Sequence, residues 1–512
     1  MQRRTLPAVL VSALLSLPLA ALGRPAAQAD AEECALGVES DFNGDGWADA
    51  AVADPYATVG GQPEAGQVLV MYGDADGKVG DGLRGTVRQG TSFVPGMPEA
   101  RDRFGFALAV ADLDCDGYSD LVVGSPYENI GSAVDSGLVQ LIFGSGTGLG
   151  EGRLSRSITQ TSFGSTVHER DRLGWAVDAL EDYGEGGTPA PDAYAVAVGA
   201  PGWDVGGAAD AGWVGFLVAY DGGNVTMTVT QDSPGIPGVA EAGDRFGAAV
   251  TLNYLAGDDF VDAAVGVPNE DVGSVADAGA VTVVRDIYDE PTGIGLDQNS
   301  PGIDGIPETG DRFGESLDSI QVGSTTRLAV GIGREDIGGA SNAGSVQLFS
   351  SNGSTLSATA ALTQDTPGVS GAAESGDSFG SRLAFARPGP GVSSTRLAVG
   401  LPGEDGAAAD SGLVQVFPVT DLDAETTYSQ DSPGVSGSSQ AGDRFGDAVG
   451  VVTGGTEQAL LVGVPRESNS DGMVNVIPLP SGDPRSWVPG AGGVPGAGAE
   501  RFGTTVATAG QQ

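Results

Sequence analysis

The sequence is poor in basic residues, in histidine and in cysteine. Lys and Arg together number 24 against 68 Asp and Glu, a formal charge of −44. A surface of that sign repels nucleic acid and anionic lipid, which excludes both as expected partners, and it attracts divalent cations and cationic surfaces. The one histidine, His168, sits in a variable turn. No Gly-x-Ser-x-Gly elbow precedes a helix, neither cysteine has a histidine partner in a recognisable pattern, and no phosphate-cradling glycine loop carries a lysine. Such a chain offers little to an enzyme. Its two cysteines, Cys34 and Cys115, either form one disulfide or stay as thiols.

Long apolar runs are also missing, with one exception. Leu6 to Leu22 is apolar, follows Arg3 and Arg4, and is followed by the small residues of Ala27-Gln28-Ala29. That is the pattern of a secretory signal peptide, expected over residues 1–29. Pro7 and Pro18 interrupt it, whereas a membrane helix needs about 20 unbroken apolar residues. The remainder, 30–512, is expected to be secreted, with no membrane insertion.

Glycine is what the sequence has in excess. With 85 Gly and 29 Pro, a turn comes every few residues, which long helices cannot accommodate. A hydrophobic content of 40% is too high for a disordered polymer. Many short strands joined by many turns remain.

Those strands repeat. Asp102-Arg103-Phe104-Gly105 recurs at Asp171, Asp244, Asp311, Asp377 and Asp443, with variations, and as Glu500-Arg501-Phe502-Gly503, in steps of 69, 73, 67, 66, 66 and 57 residues. A second signature reads Val123-Gly124-Ser125-Pro126, Val198-Gly199-Ala200-Pro201 and Val265-Gly266-Val267-Pro268, and returns at Val399 and Val462. Val52-Ala53-Asp54-Pro55 and Val330-Gly331-Ile332-Gly333 are weaker versions. A third opens another strand at Gly66, Gly137, Gly212, Gly279, Gly344 and Gly412. Four strands per unit is the blade of a propeller. The expectation is an all-β, seven-bladed β-propeller with four antiparallel strands per blade. Its blades are expected at 36–90 plus 502–510, then 104–160, 173–231, 246–298, 313–364, 379–430 and 445–488. The first unit lacks a Phe-Gly strand and the last Phe-Gly is followed by a single strand. The C-terminal strand is therefore expected to complete the N-terminal blade and close the ring, hiding a sheet edge.

Phe-Gly followed by Gly-Ala-Pro, with an aspartate-rich loop between, resembles the FG-GAP repeat of integrin α-subunit propellers and their bacterial secreted relatives. That resemblance implies a propeller, calcium in loops between first and second strands, and roles in adhesion or extracellular recognition. It names no ligand.

Two loops carry the chemistry: Asp41-Phe42-Asn43-Gly44-Asp45-Gly46-Trp47-Ala48-Asp49 and Asp112-Leu113-Asp114-Cys115-Asp116-Gly117-Tyr118-Ser119-Asp120. Oxygen side chains fall at positions 1, 3 and 5, and glycine at 6 permits the sharp turn. Calcium takes six to eight oxygens at about 2.3–2.6 Å and suits such an irregular cage. The carbonyls of Trp47 and Tyr118 would serve at position 7, and Asp49 and Asp120 at position 9. This is no EF-hand, because position 12 is Val52 or Val123 inside a strand. The alternative is a metal-free Asp/Asn/Gly turn. Blade three at Asp178 to Asp192, blade four at Asp258, Asp259 and Asp262, and blade five at Asp318 lack the pattern, so two structural calcium ions are expected.

The other recurrent acids, Glu128, Glu270, Glu335, Glu404 and Glu467, and the Asp-Arg pairs before Phe-Gly are expected to join blade to blade. Function is expected where blades differ. Tyr56, Tyr127 and Trp203 stand just past the second strand of three consecutive blades and form a candidate ligand patch. The reading is a calcium-binding extracellular adhesion or binding module, a monomer with a protein or polysaccharide ligand and no catalytic residues. A propeller-based hydrolase or lyase, or a purely structural wall or matrix component, are the alternatives.

Overall fold

Twenty-eight short strands form seven four-stranded antiparallel sheets. The computed structural model describes residues 38–507, apart from 151, 182–193, 221–222, 256–259, 289–290, 352–354, 387–393, 455–456, 480 and 497. All of these belong to the compact unit Glu33–Gln512. Residues 1–29, expected to be a signal peptide, and Cys34 lie outside the described residues. No helix among the described residues is long and apolar enough to cross a membrane.

Burial within a blade follows from its position in the stack. Middle strands such as Asp120–Ser125 and Leu138–Ile142 are covered on both faces and are buried throughout, so they read as continuous apolar runs. An outer strand such as Thr292–Leu296 is a mixture of exposed and half-buried residues, with none fully buried. The inner strands are Ala107–Ala111, Val177–Glu181, Ala249–Asn253, Ser316–Val322, Arg382–Ala386, Ala448–Gly454 and Thr505–Val506. Each packs against the next in that order, and the last packs against the first. The seven-bladed ring is closed. Thr505–Val506 pairs with Ala50–Asp54 through Val52↔Val506 and Ala53↔Thr505, so the first blade draws on both ends of the described chain.

The recurring glycines are where neighbouring blades touch backbone to backbone. A Cβ on Gly124 would stand 2.2 Å from the Gly174 carbonyl oxygen, and one on Gly199 would stand 2.0 Å from that of Gly247. The glycine of one blade's second strand is thus pressed on the Phe-Gly (or Leu-Gly) turn of the next. Gly137 has φ 88, and its Cβ would meet the Leu173 backbone at 2.2–2.3 Å. Beside these contacts Phe104, Leu173, Phe246, Phe313, Phe379, Phe445 and Phe502 are wedged between sheets at 0–1% exposure. Cutting such a phenylalanine to alanine costs about 3–5 kcal/mol.

Polar latches reinforce the stack. Gln89 Nε2 donates to Glu128 Oε2 at 2.7 Å, and the same bond joins Gln231 to Glu270, Gln298 to Glu335, Gln364 to Glu404 and Gln430 to Glu467. Each runs from the turn that closes one blade to the loop of the next. The Asp-Arg pairs divide their labour differently from the sequence expectation. The aspartates cap their own turn, Asp244 Oδ2 accepting from the Glu241 N–H at 2.6 Å and Asp311 Oδ2 from Glu308 at 2.5 Å. The arginine backbone reaches the previous blade, as in Arg245 N–H to the Asp210 carbonyl at 3.1 Å, and the Arg103 side chain does so too, pairing with Glu64.

Candidate functional site

The two acidic loops lie where the second strands of the first and second blades begin. In the first, Asp41 folds the chain around its own carboxylate: Oδ1 accepts from the Gly44 N–H at 2.7 Å and Oδ2 from the Gly46 N–H at 2.8 Å. Asn43 Oδ1 accepts from Asp45 N–H at 3.0 Å, and Asp45 Oδ1 from Trp47 N–H at 3.0 Å. The second loop repeats the scheme, with Asp112 Oδ2 accepting from Gly117 at 2.8 Å and Asp116 Oδ1 from Tyr118 at 3.0 Å. Alternate side chains therefore bend toward one centre because each also terminates a turn.

Asp49 and Asp120 are held differently. Asp49 is fully buried and accepts from the N–H groups of Phe42 and Gly73, both at 2.8 Å; Asp120 accepts from Leu113 at 2.8 Å and Gly144 at 2.7 Å. Both carboxylates staple the loop to the end of the third strand. Asp262 does the same in blade four, with the Asp286 N–H at 3.0 Å, although no full acidic loop precedes it.

The second loop gathers its charges tightly. One carboxylate oxygen each from Asp112, Asp114 and Asp116 lies within 4.8 Å of the others. Oxygens sharing a calcium ion at about 2.3–2.6 Å stand no more than about 5 Å apart, so the three fit one ion. Asp114 Oδ1 is buried with no hydrogen-bond partner, an orphan that a cation would satisfy. Its other oxygen accepts from Arg153 Nη1, whose guanidinium lies 3.6 Å over the Phe143 ring. Burial raises Asp112 to about 7, and it raises Asp116 too, with Asp114 adding repulsion. In the first loop burial raises Asp41, and lifts Asp49 to about 8. Carboxyls crowded out of water are costly to ionise alone and are relieved by a divalent cation.

The loops are also joined to each other. Ser119 N–H donates to the Asp41 carbonyl at 2.9 Å and Ser145 N–H to that of Phe42 at 3.1 Å. Gly44 lies so close under the Tyr118 ring that a Cβ there would meet it at 2.2 Å. Asp112 N–H donates onward to Glu181 Oε1 in the third blade at 2.8 Å. Cys115, at the fourth position of the second loop with φ 56, is not a free thiol.

Blades three and five carry acids outside any loop of this kind. Asp178 and Asp318 lie within inner strands, not in loops, and accept from Leu252 N–H and Phe385 N–H of the next blade. Both are half-buried by surface yet enclosed by the surrounding strands, and burial raises them to about 6 and about 7. Of the blade-three stretch to Asp192, residues 182–193 lie outside the described residues, as do Asp258 and Asp259 of blade four.

On the opposite face stand the aromatics. Arg103 is sandwiched between Tyr56, at 4.8 Å, and Tyr127, at 4.6 Å; Arg501 covers Tyr56 at 4.6 Å. Tyr127 continues into Phe106 at 6.0 Å and Trp175 at 6.3 Å. Trp203 packs instead against Trp213, at 5.5 Å, and His168, at 5.0 Å. Two of the three patch residues therefore share a cluster with Phe106 and Trp175, which the sequence reading missed. The available signal was their position, directly after Phe104-Gly105 and Leu173-Gly174.

The FG-GAP repeat family model matches residues 35–71 and 104–142, the two units that contain the acidic loops. The chain carries FG-GAP repeats. The FG-GAP chain is 33% identical over 172 residues to phosphatidylinositol-glycan-specific phospholipase D of Rattus norvegicus, covering 34% of this chain and 18% of that one. It is 33% identical over 150 residues to the Mus musculus protein of that name, covering 29% and 16%. Integrin alpha-3 of Cricetulus griseus is 32% identical over 99 residues, covering 18% and 8%. The chain thus spans less than a fifth of the length of these relatives.

Proposed function

We propose that this protein is a secreted FG-GAP propeller that binds an extracellular protein or polysaccharide as a monomer, with two calcium ions bracing its first two blades. The ions would be held by Asp41, Asn43 and Asp45, and by Asp112, Asp114 and Asp116, with carbonyls of Trp47 and Tyr118 and support from Asp49 and Asp120. Calcium would supply the positive charge these crowded carboxylates lack. The observation that carries this reading is the convergence of Asp112, Asp114 and Asp116 on one centre, with the buried Asp114 Oδ1 unpartnered. Resemblance to integrin alpha-3 favours recognition; a phospholipase among the relatives does not transfer its activity across so short a shared length. A Cys34–Cys115 disulfide would anchor the chain ahead of blade one to the second loop.

Calcium titration of the secreted protein by calorimetry is expected to show two sites, and Asp114→Asn combined with Asp116→Asn to remove one. Immobilised matrix proteins and polysaccharides are expected to retain the wild-type protein. Absence of any calcium heat would overturn the metal assignment, and failure on every such surface would overturn the binding role.

A further inference from the structure

The charge of this molecule is inverted at one place. On the face opposite the acidic loops, where the inner strands begin, the ring opens into a cavity of about 520 Å³ between the sixth, seventh, first and second blades. Four arginines line it, Arg382, Arg444, Arg466 and Arg501, with Asp447 as the one acid. Four cations against one anion is a local excess of three positive charges in a chain whose formal charge is −44.

Most of that charge is not spent inside the protein. Arg382 is neutralised, Nε donating to the Asp447 carbonyl at 2.9 Å and Nη2 lying 3.6 Å from Asp447 Oδ1. By contrast, no ion pair among the described residues engages Arg444, Arg466 or Arg501. Arg444 Nε is buried without a hydrogen-bond partner. On the same face Arg103 pairs with Glu64 at 2.8 Å and Arg334 with Glu315 at 3.7 Å, while Arg172, Arg245 and Arg312, at the repeat position of Arg444 and Arg501, enter no ion pair among the described residues. What sets Arg444, Arg466 and Arg501 apart is that the three share one cavity.

The walls differ in kind. Tyr56, held under the Arg501 guanidinium at 4.6 Å, and Phe106 form the aromatic side. Thr504 and Thr505 add hydroxyls between the two sides. Guanidinium forks match carboxylate and sulfate oxygens in pairs, and aromatic faces accept the C–H face of a sugar ring. The volume suits a ligand of a few sugar units and lies within the usual range for small-ligand sites, about 300–1,000 Å³.

The geometry points to an acidic saccharide, a uronate or sulfated sugar within an anionic polysaccharide, bound in this arginine cup with its charged group on Arg444, Arg466 and Arg501 and its ring against Tyr56 and Phe106. This deepens the extracellular binding role proposed above and rests on it, but it needs neither calcium loop.

The test is calorimetric titration of the calcium-saturated protein with tetragalacturonate, with maltotetraose, tetra-aspartate and sodium sulfate as comparators. The acidic sugar is expected to bind at least tenfold more tightly than each of the others. Arg444→Gln combined with Arg501→Gln should weaken it at least tenfold, whereas Arg334→Gln, outside the cup, should change it less than twofold, with melting temperatures confirming that both variants fold. Equal or tighter binding of tetra-aspartate or sulfate would overturn the sugar class. Unchanged binding in the double variant, or none by wild type, would overturn the site. Should the double variant bind tetragalacturonate as the wild type does and still be retained by a matrix protein or neutral polysaccharide, the broader binding role stands and the cup falls.

Discussion

The two faces of the ring are made from the same repeat and have opposite chemistry. On one, the loops of the first two blades carry closely spaced aspartates, and those of the second loop gather within 4.8 Å of one another. On the other, left-handed arginines follow each turn, Arg103, Arg172, Arg245, Arg312, Arg444 and Arg501 having φ between 54 and 81. That backbone form costs a non-glycine residue roughly 1–2 kcal/mol, and its recurrence shows that blade-to-blade geometry demands it. What recurs in every blade is therefore architecture, and what departs from the repeat is where chemistry can be placed. The full acidic pattern stands in the sequence of blades one and two; the aromatics Tyr56, Phe106, Tyr127 and Trp175 belong to blades one to three; the arginines that share the cavity come from blades six, seven and one.

The largest effect should come from attacking what the faces share. Gly199→Val would drive a side chain into the Gly247 carbonyl, 2.0 Å from where its Cβ must sit. We expect a loss above about 4 kcal/mol, read as failure to secrete or as a collapsed denaturant midpoint. A fully stable variant would mean that the blades can slide apart, and the repeat would lose its explanation.

Calcium withdrawal comes next and should separate the faces. An ion held at 100 times its dissociation constant stabilises by about 2.7 kcal/mol per site. Chelation should lower the melting temperature by several degrees, and because Ser119 and Ser145 hold the first loop's carbonyls, damage to the second loop should also weaken binding at the first. An unchanged first-site affinity in a calcium titration of Asp112→Ala would refute that link. The opposite face should keep its arginine–tyrosine stacks in the calcium-free protein.

Much of this was legible in the sequence, for definite reasons. Six Phe-Gly turns and Leu173-Gly174 reveal a blade count because each must bury a large apolar side chain between sheets, and the spacing of Asp112, Asp114 and Asp116 reveals a carboxylate cluster because a tight turn aims alternate side chains inward. Asp178 was set at the place of the acidic loops because an aspartate in an inner strand looks, in one dimension, like one in a loop. Trp203 was grouped with Tyr56 and Tyr127 by register alone. It occupies the place that Glu128 and Glu270 hold in their own blades, and it fills that inter-blade space against Trp213. The arginine cup could not be read at all, since Arg382, Arg466 and Arg501 come from three blades and meet only when the ring closes.

The pH profile should sharpen the contrast between latch and cage. Burial raises Glu128, Glu270 and Glu335 to about 7, Gln partners opposing it only in part, and an unfolded glutamate titrates near 4.5. Between those values the folded state holds more protons than the unfolded one, so stability falls as pH rises from about 4.5 to about 7 and levels off above. The calcium-free protein should melt highest near pH 5, and Glu335→Gln should flatten part of that slope. A melting temperature that climbs from pH 5 to 7 in chelator would contradict it.

The smallest effect belongs to the stack that links the faces' chemistry on one side. Arg103 sits between Tyr56 and Tyr127 and pairs with Glu64, all partly exposed, and stacks of this kind contribute about 0.5–2 kcal/mol. Tyr127→Ala should therefore cost no more than about 2 kcal/mol, measurable as a shift in denaturant midpoint with unchanged slope. Arg103→Lys should recover the ion pair with Glu64 but not the planar stacking, and fall between. If Tyr127→Ala leaves stability unchanged while weakening ligand capture, the ring is there for recognition; if stability alone moves, Tyr127 is packing and the ligand contacts lie across the mouth with the unpaired arginines.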